Sequence, residues 1–409
     1  MPSGRGARYG GSLGAMGTVQ TEVAIIGAGP AGLLLAHLLA QDGVDSVVVE
    51  RRSRAYVESR VRAGILESSV VELLDNNGLG ARVAEEGQAH RGIYLQWPGQ
   101  RHHLDFVELV GRGVHLYGQS ELQLDLGRAR DAGGQVSFYG VSGTTLHDVD
   151  TDRPSVTFTD ADGALVRLEA RAVAGCDGKH GPSRQAIPGA SRSVFERLYP
   201  FAWLGILATV PPSTDELIYA WHPDGFALHS MRSDSVSRLY LQVPVATDIA
   251  AWSDERIWDA LSTRLGAGQT GWELKRGPIF DKAVLPFQSF VMTPMRHGRL
   301  FIAGDAAHTV PPTGAKGLNL AAADVALLAP ALISLIREGD ARLADAYSET
   351  ALRRVWRSTY FSWWMTTTLH TTDDPFTSEL QRTVLEMTVA SRAHSTALAE
   401  SYAGLPIGV

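Results

Sequence analysis

Thr21-Glu22-Val23-Ala24-Ile25-Ile26-Gly27-Ala28-Gly29-Pro30-Ala31-Gly32 is the stretch that decides the fold. Thr21–Ile26 is a β-branched apolar run and reads as a buried strand. Gly27–Gly32 is a glycine turn, and Leu33–Gln41 is apolar with high helix propensity. Gly43 closes that helix, and Ser46–Glu50 reads as a second strand. Strand, helix and strand in this order begin a βαβ unit with a parallel sheet. The first glycine permits a tight turn, the second lets the backbone approach a pyrophosphate, and the third lets helix pack on strand. The free N–H groups of the helix start then face the phosphate charge. Glu50, at the end of the next strand, can accept hydrogen bonds from ribose hydroxyls. A glycine turn alone needs no ligand. The agreement of strand, turn, helix, strand and acid predicts a dinucleotide on Gly27, Gly29, Gly32 and Glu50.

The 409 residues suit two interlocked domains. Hydrophobic content of 44% and charged content of 20% fit a globular protein. A net charge of −7 gives no electrostatic case for nucleic acid. No apolar run reaches the roughly 18–20 residues of a membrane helix, so no membrane span is expected. The lone Cys176 excludes an intrachain disulfide and fits a reducing cytoplasm. No metal-ligand set is expected. Met1–Thr18, rich in Gly, Ser and Arg, reads as a flexible tail.

Further along, Gln135–Phe138 and Ser155–Phe158 read as strands. Leu217–Ala220, Ala227–Ser230 and Arg238–Val243 suggest a separate, more antiparallel sheet. Arg299–Ala303 reads as another buried strand, and Leu318–Arg337 and Ala351–Leu369 read as helices. The aromatic cluster at Tyr360, Phe361, Trp363 and Trp364 suits either core or interface. Gly304-Asp305, after Phe301-Ile302-Ala303, is a second strand-to-helix junction. By itself it reads equally as a helix cap. With the first motif it supplies a second carboxylate, as an extended FAD requires.

Gly27–Gly32, Gly175-Cys176-Asp177-Gly178 and Gly304-Asp305 together resemble the three fingerprints of single-component flavoprotein aromatic hydroxylases. Longer strings are similar to the 4-hydroxybenzoate 3-hydroxylases among them. These are Arg62-Ala63-Gly64-Ile65-Leu66-Glu67, Tyr117-Gly118-Gln119, Phe195–Phe201, Glu216–Ala220, Pro311–Asn319 and Phe361–Met365. The resemblance runs from about Gln20 to Pro406. It implies an α/β fold with a Rossmann-like FAD-binding domain, a mixed-sheet substrate domain and a helical C-terminal region. The expected division is a tail over 1–18, a FAD-binding domain over 19–193, a substrate sheet over 194–290, and a second FAD-binding segment with the helical region over 291–409.

The resemblance implies hydroxylation of 4-hydroxybenzoate to 3,4-dihydroxybenzoate by FAD, NAD(P)H and O₂ through a flavin C4a-hydroperoxide, in a homodimer. The substrate carboxylate would lie on Ser230, Tyr240 and Arg238, with Arg232 and Thr313 also in the pocket. An arginine fork suits a carboxylate, although an exposed strand carrying an arginine has the same pattern. Tyr219, Tyr402 and His90 would form a proton relay from the phenol to solvent, and the Pro312 carbonyl would meet the phenol hydroxyl. A phenol with pKa near 10 is neutral at pH 7, so such a chain has chemical purpose. Arg62, Gln119, Asp177, Gly304, Asp305, Gly314, Lys316, Gly317, Leu318 and Asn319 are the expected FAD contacts, with Lys316 adding positive charge. Arg51, Tyr56, Arg60, Arg62 and His180 are the expected nicotinamide-nucleotide contacts. Arg51-Arg52 suits a 2′-phosphate, hence NADPH, and equally a solvated basic turn.

Two positions depart from the family pattern. Gln288 stands where an arginine is expected, which leaves NADPH and NADH both open. His229 stands where a cysteine is expected, which would change pocket polarity and admit a substituted ring such as an amino- or dihydroxybenzoate. The dinucleotide motif also fits a flavin oxidase or reductase without oxygen insertion, and a non-catalytic nucleotide-binding regulator.

Overall fold

Parallel strands carry the glycine turns. The computed structural model of the chain describes residues 17–59 and 64–407. Its first sheet runs in the order Arg296–His297, Leu300–Ile302, Ala172–Gly175, Val23–Ile26, Ser46–Glu50 and Ser137–Tyr139. All but the Arg296–His297 edge strand run parallel. Every residue of Val23–Ile26 and Ala172–Gly175 is buried, as expected for a parallel sheet covered on both faces. Helix Pro30–Gln41 starts with proline at its first turn, where the missing N–H costs nothing. It packs beside the long apolar helix Gly317–Arg337.

The second sheet has eight strands: His308–Thr309, Ile279–Thr293, Ser193–Ala208, Val236–Pro244, Ala227–Ser233, Leu217–Ala220, Gly92–Trp97 and Gln100–Asp105. Its pairings are antiparallel except that of Leu217–Ala220 with Gly92–Trp97. Side chains alternate along each strand, so the sheet sorts its residues into two faces. Leu204, Ile206, Ile218, Leu239 and Leu241 pack with Ile257, Trp258, Leu261 and Leu265 of helix Asp254–Gly266. The other face carries Trp203, Tyr219, Leu228 and Tyr240. Three helices, Arg342–Leu369, Pro375–Ala390 and Arg392–Ala403, lie at the end of the chain, and their Phe361, Met365, Leu385 and Tyr402 share that second core.

Several expectations are corrected. Gly17 and Thr18 are not tail: Gly17–Gln20 is a strand paired in parallel with Leu165–Glu169, and the tail residues before it lie outside the described residues. The helix expected from Ala351 begins at Arg342, because Ala344 and Tyr347, three residues apart, bury one face of its first turns. Residues 92–105, assigned by chain position to the flavin half, form two strands of the eight-stranded sheet. One helix among the described residues, Gly317–Arg337, is long and apolar enough to cross a membrane, contrary to expectation. Most of it is buried inside the protein, where it holds Asp324 against His308. The aromatic cluster divides by helical geometry: Phe361 is buried, Trp363 and Trp364 are half-buried, and Tyr360 is exposed.

Gly32 is the tightest point of the first motif. A Cβ there would fall 2.0 Å from the Gly27 carbonyl oxygen, a backbone atom that cannot move aside. Gly32→Ala is therefore expected to cost about 1–3 kcal/mol by overpacking. Urea unfolding of the two proteins checks this, and an unchanged midpoint would show that helix and strand do not approach so closely.

Candidate active site

The three fingerprint turns meet at the carboxyl ends of the parallel strands, the usual crevice of such sheets. Gly27 has φ 105°, and a Cβ on it would lie 2.3 Å from the Cys176 carbonyl oxygen. Gly304 has φ 61° and lies against Ala321 and Ala31. Arg184, to which no sequence pattern points, donates from Nη2 to the Asp305 carbonyl and so ties the second turn to the third.

A flavin nucleotide fits this arrangement. A Cβ at Gly29 or Gly317 would meet nothing within 4 Å, so both turns are open on one side. Each opens a helix with no side-chain cap, leaving N–H groups for an anion. Glu50 accepts from Ala28 N at 2.9 Å and Arg52 N at 2.7 Å, which aims the carboxylate and leaves lone pairs free. Asp177 accepts from Ser183 N at 2.8 Å, while its Oδ1 is out of solvent and unpartnered. Burial pushes the Asp177 carboxyl upward, against hydrogen bonds from Ser183. Asp305 is half-buried beside Gly304. Gln119 is the first residue of helix Gln119–Ala132.

The open face of the eight-stranded sheet gathers the predicted pocket residues. Ser230 pairs with Arg238, and Leu228 with both Tyr240 and Tyr219 across the strands. Ser230, Arg238, Tyr240 and Tyr219 thus share one face, and Arg232, at the bulge after Met231, lies close to Arg238. Arg238 sits 5.4 Å from the Tyr240 ring, and its Nη1 is buried without a partner. Arg232 donates to Ser120 Oγ at 2.8 Å and closes under Gly118, linking the sheet to the flavin half. Burial lowers Arg232 from its ordinary value, and the nearby Arg238 charge adds to this. Two guanidiniums in one enclosed place, one of them short of an acceptor, suit an anion. Ser230 Oγ donates to the Arg238 carbonyl at 3.1 Å.

Tyr219 and Tyr402 are fully buried, and their hydroxyls lie 2.7 Å apart. Burial raises both phenols well above 10, with the partner's charge adding for Tyr219, so both remain neutral at pH 7. Neutral hydroxyls in contact can each donate and accept, which is what proton transfer through them requires. His90 is buried with neither ring nitrogen bonded to protein. It lines a cleft of about 260 Å³ with Gln88, Pro212, Asp215 and Asp234. Burial lowers its pKa, although Glu216 and Asp215 pull it upward. No protein hydrogen bond joins His90 to the tyrosine pair among the described residues. Thr313 is buried and accepts from Thr366 Oγ1 at 3.0 Å, and the Pro312 carbonyl accepts from Ala315 N at 2.9 Å.

Two expectations fail. His229 points to the opposite face from Ser230, because adjacent strand residues alternate. Its Nε2 accepts from Ser213 N at 3.1 Å, and burial lowers its pKa to about 4, so it does not set pocket polarity. Lys316 is not a free positive charge: its Nζ is buried 2.6 Å from Glu67 Oε1 and donates to the Tyr402 carbonyl at 2.9 Å. Asn319 directs its amide to Ile65, Ala315 and the Glu67 N–H, so its side chain braces the loop. Leu318 is half-buried in the same first turn. Gln288 accepts from Lys179 Nζ at 2.6 Å, next to the exposed His180. Arg51 is exposed, and Tyr56 has the Arg52 guanidinium 5.0 Å from its ring centre. Arg60 and Arg62 lie outside the described residues. The sequence does not reveal that Glu67 pairs with both Lys316 and Arg354; its only signal is an acid ending an apolar strand.

Comparison with known proteins agrees with this geometry. A family model described as FAD binding domain matches residues 20–362. The chain is 47% identical to the p-hydroxybenzoate hydroxylase of Acinetobacter baylyi, covering 96% of this chain and 97% of that one. Among solved structures, p-nitrophenol 4-monooxygenase from Pseudomonas putida has a TM-score of 0.78 at 19% identity, covering 94% and 99%. Anhydrotetracycline hydroxylase from Streptomyces rimosus has a TM-score of 0.75 at 22% identity, covering 94% and 76%. These two show the shared fold.

The Gly304 turn depends on a buried pair. Asp324 Oδ2 accepts from Gly304 N at 2.8 Å and from His308 Nε2 at 2.6 Å. Burial is the largest influence on His308 and lowers its pKa, but the Asp324 charge and hydrogen bond, with Asp305, outweigh it and leave it above 6.5. A raised folded value means that this stabilisation is complete below the unfolded value and lost as pH rises through the folded one. Unfolding free energy is thus expected to decline above pH 6.5, and His308→Gln to lack that component. Denaturant melts at several pH values check this; identical slopes for both proteins would refute it.

Proposed function

We propose, because this chain belongs to the FAD-binding family of single-component flavoprotein aromatic hydroxylases, that it hydroxylates 4-hydroxybenzoate to 3,4-dihydroxybenzoate with NADPH and O₂. The observation that carries the substrate is one sheet face with an arginine cluster at one place and the Tyr219–Tyr402 pair at another. Tyr219 lies across from Leu228, two residues from Ser230. Two residues of strand span about 7 Å, a distance one benzene ring with para substituents bridges. The carboxylate would take Arg238, Arg232, Ser230 and Tyr240, and the phenol would meet Tyr219. The 47% identity to a p-hydroxybenzoate hydroxylase supports the same substrate.

Bound FAD supplies the redox chemistry: hydride from nicotinamide reduces it, and its electrons activate O₂ so that one oxygen enters the ring and the other leaves as water. Gly27, Gly29 and Gly32 would hold its pyrophosphate, Glu50 and Asp305 its hydroxyls, and the Gly314–Asn319 turn its ring. The chain's own contribution is to the phenol. Tyr219 would accept the phenol proton as its own passes to Tyr402, and the proton Tyr402 gives up would pass through water to His90, neutral because it is buried, and from there to the Asp215 cleft. Loss of the phenol proton through this chain would make the ring carbon beside the hydroxyl electron-rich, as oxygen insertion there requires. The Pro312 carbonyl would orient the hydroxyl.

Arg51 offers an exposed guanidinium to a 2′-phosphate, which supports NADPH over NADH. The orientation of His229 removes the ground for a substituted ring. The homodimer remains part of the proposal, supported by the exposed Phe195, Leu198, Trp356 and Tyr360, of which Phe195 and Trp356 lie with ring centres 5.2 Å apart.

The deciding assay follows NADPH and, in parallel, NADH oxidation by the FAD-loaded protein in air with 4-hydroxybenzoate, with the product identified by mass spectrometry. Substrate-stimulated oxidation yielding 3,4-dihydroxybenzoate is expected. Oxidation that yields only peroxide would overturn the substrate. Tyr219→Phe and Tyr402→Phe are each expected to lower kcat by about 10²-fold or more, with KM changed less than about threefold.

A further inference from the structure

The end of the chain delivers Tyr402 and is gripped by charge. Lys316 Nζ donates to the Tyr402 carbonyl at 2.9 Å, and Arg112 Nε to the Gly404 carbonyl at 3.0 Å. Arg354 Nη1 donates to the carbonyls of Leu405 at 2.8 Å and Pro406 at 3.1 Å. Glu67 joins the cations: its Oε1 meets Lys316 at 2.6 Å and its Oε2 meets Arg354 Nη2 at 2.5 Å. Both side chains and the carboxylate are nearly or fully buried. Gly404 passes directly over the carboxylate, with φ 85° and a Cβ position 2.0 Å from Glu67 Oε2. Apolar anchoring here is slight, since Pro406 is exposed and Leu405 half-buried.

We propose that Arg354 is a positioning residue for the phenol proton relay, acting through Glu67, Lys316 and the carbonyls of residues 405 and 406 to hold the Tyr402 hydroxyl on Tyr219. A buried ion cluster survives only with its hydrogen bonds complete, so it fixes geometry more than a surface pair can. The Tyr402 ring rests against Phe106 at 5.1 Å and Phe361 at 6.2 Å, which fixes its plane. Those contacts do not fix how far the ring advances toward Tyr219. The main chain sets that, and the cluster holds the main chain at Tyr402, Leu405 and Pro406. Hydrogen-bonded transfer weakens steeply with donor–acceptor distance, so a small retreat of this segment would uncouple the pair.

The inference rests on the relay reading above, and its test separates the two. The FAD-loaded protein and its variants Arg354→Met, Arg354→Lys, Gly404→Ala, Tyr402→Phe and the Arg354→Met/Tyr402→Phe double variant are titrated with 4-hydroxybenzoate. Ionisation of the bound phenol is read by absorbance across pH. Arg354→Met and Gly404→Ala are expected to raise the midpoint of bound-phenol ionisation by about one unit, tenfold in ionised fraction. Substrate Kd should change less than about threefold, with Arg354→Lys recovering part of the loss. The double variant should match Tyr402→Phe, because residues acting through one hydroxyl are not additive. An unmoved midpoint in Arg354→Met, or full additivity in the double variant, overturns the proposal. If the parent protein binds 4-hydroxybenzoate without ionising it, the relay reading fails instead. The clamp is then judged by amide hydrogen exchange over 402–406, where faster exchange in Arg354→Met supports it and unchanged exchange overturns it.

Discussion

Strict alternation of side chains on the eight-stranded sheet is the constraint from which the site follows. One face is sealed by Ile257, Trp258 and Leu261 of a helix, and its buried polar side chains His229, Gln96 and Ser237 are each hydrogen-bonded there. That frees the other face to carry Arg238, Ser230, Tyr240 and Tyr219 without exposing the core. A one-residue slip of strand Val236–Pro244 would send Arg238 and Tyr240 into the sealed face, where a guanidinium and a tyrosine hydroxyl would be buried among apolar side chains. The strong apolar packing of the sealed face therefore protects the chemistry of the open one.

The open face then needs a cover, and the cover comes from far along the chain. Tyr402 meets Tyr219 across 183 residues, and Lys316 meets Glu67 across 249. Glu67 is the common point: it ends the strand Ile65–Glu67, holds the loop at Lys316, and takes Arg354 from the long helix. The loop it holds packs on that same helix, since a Cβ at Gly314 would press on Ser362 and Phe361. Flavin loop, relay tyrosine and helical cover are thus registered against one another by a carboxylate that touches none of the predicted substrate groups.

What the sequence made legible is local. The Gly27–Gly32 turn follows from spacing alone, because its chemistry needs only neighbouring residues. The pairing of Tyr219 with Tyr402 was reached only through family resemblance, since no periodicity links residues that distant. His229 misled for a physical reason: adjacency in sequence to Ser230 means opposition in a strand. Lys316 misled because a loop cation reads as free until the buried acid paired with it is seen. Arg354 carried no signal, being one arginine among several on a helix, and only its carbonyl and carboxylate contacts give it meaning.

The electrostatic character of the site combines these parts. Burial alone would make a phenolate costly beside two tyrosines that stay neutral. The arginine pair at the carboxylate end is the counterweight, and the Lys316–Glu67–Arg354 cluster adds a second excess of positive charge behind Tyr402. Neither cation group contacts the phenol position, so each favours the anion through a low-dielectric interior rather than by a direct hydrogen bond. Direct contact with a lysine would hold the phenolate as an ion pair and blunt its nucleophilicity. In the proposed reaction, neutral tyrosine hydroxyls backed by distant charge would stabilise the anion enough to form it while leaving its electrons available to the ring.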